Sequence, residues 1–382
     1  MNAHAAARPR AGYARAAVLA RPRAFEFQQL PLPQIGDDEG LLRVEVCGLC
    51  GTDYEQWQGH LGDWGGGMPI IPGHEVIGWL EAVGKDAARR WQVKEGDRVA
   101  IEPVIPCGHC TQCVQGAYTR CERDMGYGLY TGTSVEPGLW GGYASHMYLH
   151  PRAMVHRLPS DIPGDVMSLF NPLSNAVRWI YEAGGVGIGS TVVIEGPGQR
   201  GLLAVVAAKA AGATTIIVTG TGADTKRLAL ARMLGATATI DVSTESPVDR
   251  VRELTGDRLA DVVLEVSAGS TQPIVDAIDM VRRGGRIVLA GLKGKRAVEG
   301  LFSDKIVFKE IQLVGVLSAG WRSIELAIDI IRRRRPGELE SLCSHFLPLS
   351  RIDEAIRLLG RETSDGNEVT HISIDVAGGM QG

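Results

Sequence analysis

The sequence predicts an α/β protein of two domains, a mostly β part followed by a doubly wound parallel sheet. Three observations predict it. At 382 residues the chain exceeds one ordinary hydrophobic core and can bury two. From Ala16 to about Ser160 short β-type runs are broken by Gly and Pro. From Ser190 apolar strand-like runs alternate with helical stretches, the pattern of βαβ units whose sheet is covered on both faces.

In chain order, the first part carries AAVL, LLRVEVCG, DRVAIEP and GGYASHMYL as strand candidates. The second carries TVVIE, GLLAVVAAKAAG, TTIIVTG, TKRLALARMLGA, DVVLEV, GRIVLAG and IQLVGV, strand and helix by turns. Beyond Gly320 come two helical stretches, WRSIELAIDIIRRR and SRIDEAIRLL, and a last strand, THISIDV. No repeat of solenoid period and no low-complexity block interrupts them. The first fourteen residues, MNAHAAARPRAGYA, carry Ala and Arg without acids; the expectation is a flexible extension rather than a transit peptide.

Composition narrows the function. Forty basic against forty-four acidic side chains leave a net charge of −4, so no broad positive field is available to hold nucleic acid. A small molecule is the expected partner. An odd cysteine total of seven, no leader pattern and no apolar run of bilayer length favour a cytoplasmic protein without a membrane. In a reducing compartment clustered cysteines are more often metal ligands than disulfides.

The first βα junction, TVVIEGPGQRGLLAVV, places Gly196, Gly198 and Gly201 as GxGxxG between a strand and a helix. The first glycine allows the tight turn, the second admits a pyrophosphate, and the third lets helix and strand approach. The helix N-terminus offers free N–H groups and a positive dipole end to the phosphates. In this context the motif indicates a Rossmann dinucleotide site. The next strand ends at Gly220 with TGADTKR following, where an acid would bind the adenosine ribose. Gly220 and Thr221 there do not repel a 2′-phosphate, and Lys226 or Arg227 could attract one; Asp224 could instead reach the ribose hydroxyls. NAD and NADP both remain open.

CGHCTQCVQGAYTRC sets Cys107, Cys110, Cys113 and Cys121 in a spacing that fits tetrahedral zinc with no open position, a structural site. His109 within it is read as exposed rather than a ligand. Upstream, CGLCGTD (Cys47 to Asp53) and PGHE (Pro72 to Glu75) offer the donors of a catalytic zinc, whose open fourth position takes water or an alkoxide. Cys47 alone reads as a small buried side chain.

On GLCGTD, PGHE with GDRVAIEP, the four-cysteine loop and GPGQRG, all in family order, the chain from about Ala16 to Val376 resembles a zinc-dependent alcohol dehydrogenase of the medium-chain dehydrogenase/reductase family. The resemblance implies a GroES-like catalytic domain, residues 15–175 and 319–382 with a zinc lobe at about 103–125, into which a Rossmann domain, 176–318, is inserted. It implies two zincs per chain, NAD or NADP as cofactor, and a homodimer or homotetramer. Cys50 and His74 become catalytic zinc ligands, with Glu75 a close or alternate ligand. Thr52 bridges the substrate oxygen to a proton relay, and Asp53 holds His74 through its second ring nitrogen.

The chain departs from that family at three positions. Asn171, in Asn171-Pro172-Leu173, stands where many members carry a glutamate ligand, so Asn171, Glu75 or water is the third donor. Glu55 stands where a relay histidine is common, and reads equally as a relay group or a solvated acid. Arg178 replaces another common histidine. Trp57, Trp64, Tyr127, Tyr130 and Trp140 could line a cleft for a bulky or cyclic alcohol, though each singly is expected to be packing. The expected reaction is hydride transfer between an alcohol, secondary by preference, and NAD(P); the alternative is a dinucleotide-binding protein with structural zinc and little turnover.

Overall fold

The computed structural model describes residues 12–61, 67–123, 125–363 and 369–378. The chain forms two compact units, Met1–Phe170 with Cys343–Gly382, and Asn171–Leu342.

The first unit opens with an antiparallel hairpin, β1 (Tyr13–Arg21) and β2 (Ala24–Pro31), in which Tyr13 pairs with Pro31. The strand therefore starts two residues inside the expected extension, because Ala14 and Ala16 are fully buried; residues 1–11 of that extension lie outside the described residues. β3 (Gly40–Leu49) runs directly into helix α1 (Gly51–Gln58). β4 (Glu75–Val83), α2 (Lys85–Trp91) and β5 (Arg98–Ile101) follow. Next come one-turn α3 (Thr111–Val114), β6 (His146–Leu149), β7 (Val155–Arg157) and one-turn α4 (Gly164–Met167). Only the last four residues of GGYASHMYL form a strand. The N–H groups of Gly142 and Tyr143 instead donate to the carbonyls of Gly73 and Pro72, locking that segment to the loop before β4.

The second unit is the expected parallel sheet. It begins with α5 (Phe170–Val177, the first residue belonging to unit one) and a π-helical turn at Arg178–Ala183. Then come β8 (Thr191–Glu195), α6 (Gln199–Ala211), β9 (Thr215–Gly220), α7 (Thr225–Leu234), β10 (Ala238–Asp241) and α8 (Pro247–Thr255). β11 (Ala260–Glu265), α9 (Gln272–Met280), β12 (Val281–Leu289), α10 (Ser303–Lys309), β13 (Gln312–Gly315) and α11 (Trp321–Arg333) complete it. The strand order β10-β9-β8-β11-β12-β13 reverses direction at β8/β11, which makes a crevice at their carboxyl ends. Apolar β8, β9 and β11 are buried along nearly their whole length, as two covered faces require. α11 buries Ile324, Ala327, Ile328 and Ile331 within this unit.

The chain then returns to the first unit with β14 (Cys343–Pro348), α12 (Ile352–Leu359) and β15 (His371–Asp375). β15 pairs antiparallel with β3 and parallel with β14, so chain segments far apart in sequence share one sheet. Its core gathers Leu41, Val44, Val76, Tyr143, Ile356 and Ile374. Among the described residues no helix is long and apolar enough to cross a membrane.

Candidate metal centres and dinucleotide turn

The antiparallel pairing of β3 with β4 builds the first centre. Gly48 is the register partner of Glu75, so the end of β3 lies beside the start of β4. Cys50, the residue before α1, therefore meets His74 and Glu75: the Cys50 Sγ is 3.2 Å from His74 Nε2, and one ligand atom from each of the three lies within 4.8 Å of the others. All three are buried. Asp53 sits in the first turn of α1, where its Oδ2 accepts from the Cys50 N–H at 2.9 Å and its Oδ1 lies 3.4 Å from His74 Nδ1. Burial would push the Asp53 carboxyl up, but the facing His74 and the hydrogen bonds from Cys50 together outweigh it and hold it below its ordinary value. Gly73 has φ +90°, and a Cβ there would come within 2.9 Å of the Cys47 Sγ and closer still to the Tyr143 ring. The glycine of PGHE thus lets the His74 loop lie against β3. Cys47 is fully buried in the core beside it.

The second centre lies in the loop carrying α3. Cys107, Cys110, Cys113 and Cys121 are free cysteines whose sulfurs lie within 4.8 Å of one another. The Cys107 and Cys113 sulfurs are 3.9 Å apart. Thiolates placed tetrahedrally at about 2.3 Å from zinc would stand about 3.8 Å apart, so the set fits that ion. The N–H groups of Cys110 and Cys107 donate to the Cys107 and Cys121 sulfurs at 3.2 and 3.3 Å. The N–H of His109, with that of Cys110, pulls the Cys107 thiol down to about 6, while desolvation pushes Cys113 up to about 12. Four thiolates this close would need a cation between them. His109 is exposed, its ring nitrogen 2.9 Å from the Cys107 carbonyl oxygen.

In the second unit, β8 passes through Gly196 and Gly198 into α6, with Gly198 as N-cap. A Cβ on Gly201 would collide with the Gly196 carbonyl oxygen, so only glycine allows this approach of helix and turn. β9 ends at Gly220, and Asp224 turns back upon the loop: Oδ2 accepts from the Thr221 N–H at 3.1 Å and hydroxyl at 2.8 Å, and Oδ1 from Arg227 at 3.1 Å. Its carboxyl is held low because Thr221 and Arg227 outweigh the opposing burial. Arg227 is buried, whereas Lys226 is exposed.

The remaining expected residues lie on several elements. Thr52 is half-buried in the first turn of α1. Glu55, half-exposed, pairs with His60 at 3.0 Å. Asn171 is buried, and its Oδ1 accepts from Asn175 at 3.2 Å. Arg178 donates to the carbonyls of Leu317 and Ser318. Trp57, Tyr127 and Trp140 are packed in the first unit's core, so none of the three offers an open aromatic wall, and Tyr130 is half-buried. Trp64 lies outside the described residues.

Two arrangements escaped the sequence reading. Glu102 and His156, both buried, meet at 2.9 Å, and Tyr118 from the four-cysteine loop donates to Glu102 at 2.9 Å, tying that loop to the sheet. Glu195, the residue before Gly196, is the register partner of Glu265, which Lys293 pairs at 2.6 Å. The shared ending of TVVIE and DVVLE was the available signal.

A parallel sheet with a glycine turn, in a chain that also carries a buried cysteine–histidine–carboxylate set, defines a dinucleotide-dependent dehydrogenase. Comparison with known proteins agrees. Residues 36–160 match the alcohol dehydrogenase GroES-like domain and residues 201–333 the zinc-binding dehydrogenase domain. A probable alcohol dehydrogenase of Mycobacterium tuberculosis is 44% identical over 83% of this chain and 86% of its own. Sorbitol dehydrogenase of Bacillus subtilis is 33% identical over 79% and 81%. The crystal structure of an alcohol dehydrogenase from Thermotoga maritima superposes with a TM-score of 0.85 at 26% identity, covering 95% of this chain and 99% of that one. The chain belongs to the zinc-binding alcohol dehydrogenases of the medium-chain dehydrogenase/reductase family, and is an NAD(P)-dependent oxidoreductase.

Proposed function

We propose that the protein interconverts a secondary alcohol and its ketone, with Cys50, His74 and Glu75 holding a catalytic zinc and Cys107, Cys110, Cys113 and Cys121 a structural one. The observation that carries this reading is the meeting of three unlike donors, all buried, within 4.8 Å. A thiolate, an imidazole and a carboxylate are a donor set suited to zinc. Bound zinc supplies the Lewis acidity that brings ionisation of an alcohol hydroxyl toward neutral pH, and bound nicotinamide accepts the hydride.

The chain's own groups do the rest. Asp53 holds His74 through Nδ1, which directs Nε2 toward the centre. Glu75 stands as third donor in place of the glutamate that Asn171 replaces. Thr52, two residues past Cys50, accepts the hydroxyl proton and passes it outward. Glu55 lies one turn further along α1 and, with His60, gives that proton an acceptor pair at the solvent side. Gly196, Gly198 and Gly201 seat the pyrophosphate at the start of α6, and Gly220, Thr221, Asp224 and Lys226 face the adenosine ribose. The relatives named sorbitol dehydrogenase and L-threonine 3-dehydrogenase have substrates bearing secondary hydroxyls, which supports that substrate class. A panel of primary and secondary alcohols, run separately with NAD and NADP, tests the proposal; reduction of either cofactor by secondary alcohols supports it, and none with any alcohol defeats it.

A further inference from the structure

The second unit carries a cleft of about 600 Å³ that the dehydrogenase reading leaves unused. It lies at the amino-terminal ends of β11 and β12, the opposite end of the sheet from the Gly196 turn. In an open parallel sheet the dinucleotide takes the carboxyl ends, so this cleft is not its site. Its wall is strongly positive in a chain whose net charge is −4: six cations, Arg252, Arg258, Arg282, Arg283, Lys305 and Lys309, stand against Asp257 and Asp279.

Two of these cations are neutralised. Lys305 pairs with Asp279 at 2.8 Å and Arg282 with Asp261 at 2.7 Å. Arg283, Lys309 and Arg258 donate instead to main-chain carbonyls, those of Phe308, Ile278 and Thr255. A carbonyl satisfies a donor without cancelling its charge. Lys309 shows the consequence: burial lowers its ammonium pKa, and Arg252, Lys305 and Arg283 lower it further against the pull of Asp279. Repulsion among the cations is relieved when an anion enters.

We propose that this cleft is a second, anion-binding site that takes a small polyphosphate, a ligand with two or more linked phosphates. The cations come from four separate places, α8, the turn before β11, β12 and α10. Planar guanidinium groups from separate elements suit several phosphate oxygens at once. Phe308, 70% exposed at the rim, leaves the cleft room for an organic group attached to those phosphates.

The test is calorimetric titration of the full chain with sodium tripolyphosphate at low salt, with sulfate at matched ionic strength as the control. It is run on the unaltered protein and on a double variant, Arg252→Gln with Arg283→Gln, both exposed residues outside the dehydrogenase machinery. The expected result is saturable binding at one site per chain, weakened at least about tenfold in the double variant by loss of two charge-assisted contacts, with turnover in tripolyphosphate-free buffer unchanged. Equal binding by both proteins places the anion elsewhere, in the cofactor site for instance, and overturns the proposal. So does the absence of saturable binding to the unaltered chain, or binding matched by sulfate.

Discussion

Glu195 and Glu265 stand opposite each other as register partners at the carboxyl ends of adjacent parallel strands, just before the glycine turn. Each is buried, and each keeps one carboxyl oxygen without a hydrogen-bond partner among the described residues. Burial, and then the facing Glu265, push the Glu195 carboxyl well above its ordinary value, so the folded protein keeps it protonated where the unfolded chain has released the proton. Above about pH 4.3 the unfolded state therefore binds fewer protons, and stability falls as pH rises toward the folded value. Glu195→Gln keeps the shape and removes the titration. Urea unfolding at pH 5 and pH 8 checks this: the variant's advantage should widen with pH, and parallel behaviour of the two proteins would refute it.

Lys293 answers the same cluster with a cation. Its ammonium lies 2.6 Å from Glu265 Oε1 and 2.7 Å from the Ser267 carbonyl oxygen, joining the loop after β12 to the loop after β11. Removing one partner of a buried pair leaves an uncompensated charge, at a cost of roughly 3–5 kcal/mol. Lys293→Met should destabilise by that order, and Glu265→Gln in the same chain should restore a large part. Chemical unfolding of single and double variants measures the coupling.

His371 predicts acid sensitivity in the first unit. It is fully buried on β15, its Nε2 2.8 Å from the Ser168 hydroxyl, and burial lowers its pKa to about 3. An unfolded histidine titrates near 6.5, so the unfolded state binds more protons between about pH 6.5 and the folded value. The stabilisation is complete above that window and is lost as pH falls through it, about 2 kcal/mol at pH 5. Comparing unfolding midpoints of the protein and His371→Gln from pH 7.5 to 5 tests it: the variant should lack this component of the pH slope.

The four-cysteine loop should depend on its ion more than the sheet beneath it. Cys113→Ser removes one of four thiolates, and should release one metal per chain and expose the loop to limited proteolysis. The Tyr118–Glu102–His156 contacts should keep the β strands folded, so far-ultraviolet circular dichroism should be nearly unchanged. An uncut loop with full metal content would contradict the assignment.

Features that depend on neighbours in the chain were legible from the sequence. The spacings of Gly196, Gly198 and Gly201 and of the four cysteines carry their own geometry, because each set lies in one short segment of chain. CGLCGTD and PGHE were legible as a donor set from their residue types, but the choice of Cys50 over Cys47 came only through the resemblance, since the β3–β4 register that unites Cys50 with His74 is not written in their spacing. AFEFQQLP carries little strand signal because its apolar residues do not alternate along its length, and β2 has exposed and half-buried positions but no fully buried one. The periodicity of Trp321–Arg333 shows a helix but not the unit on which it packs. Trp140 shows why an aromatic in a glycine-rich loop says little by itself: it is a core residue.

The most direct measurement is the metal content of the purified protein and of Cys50→Ser, read beside alcohol-dependent reduction of NAD and NADP. Two zinc ions per chain should fall to one in the variant, with turnover reduced at least about a thousandfold if the ion sets the barrier. A variant that keeps the same zinc content and the same turnover would contradict the assignment of Cys50, His74 and Glu75 as the centre of the reaction.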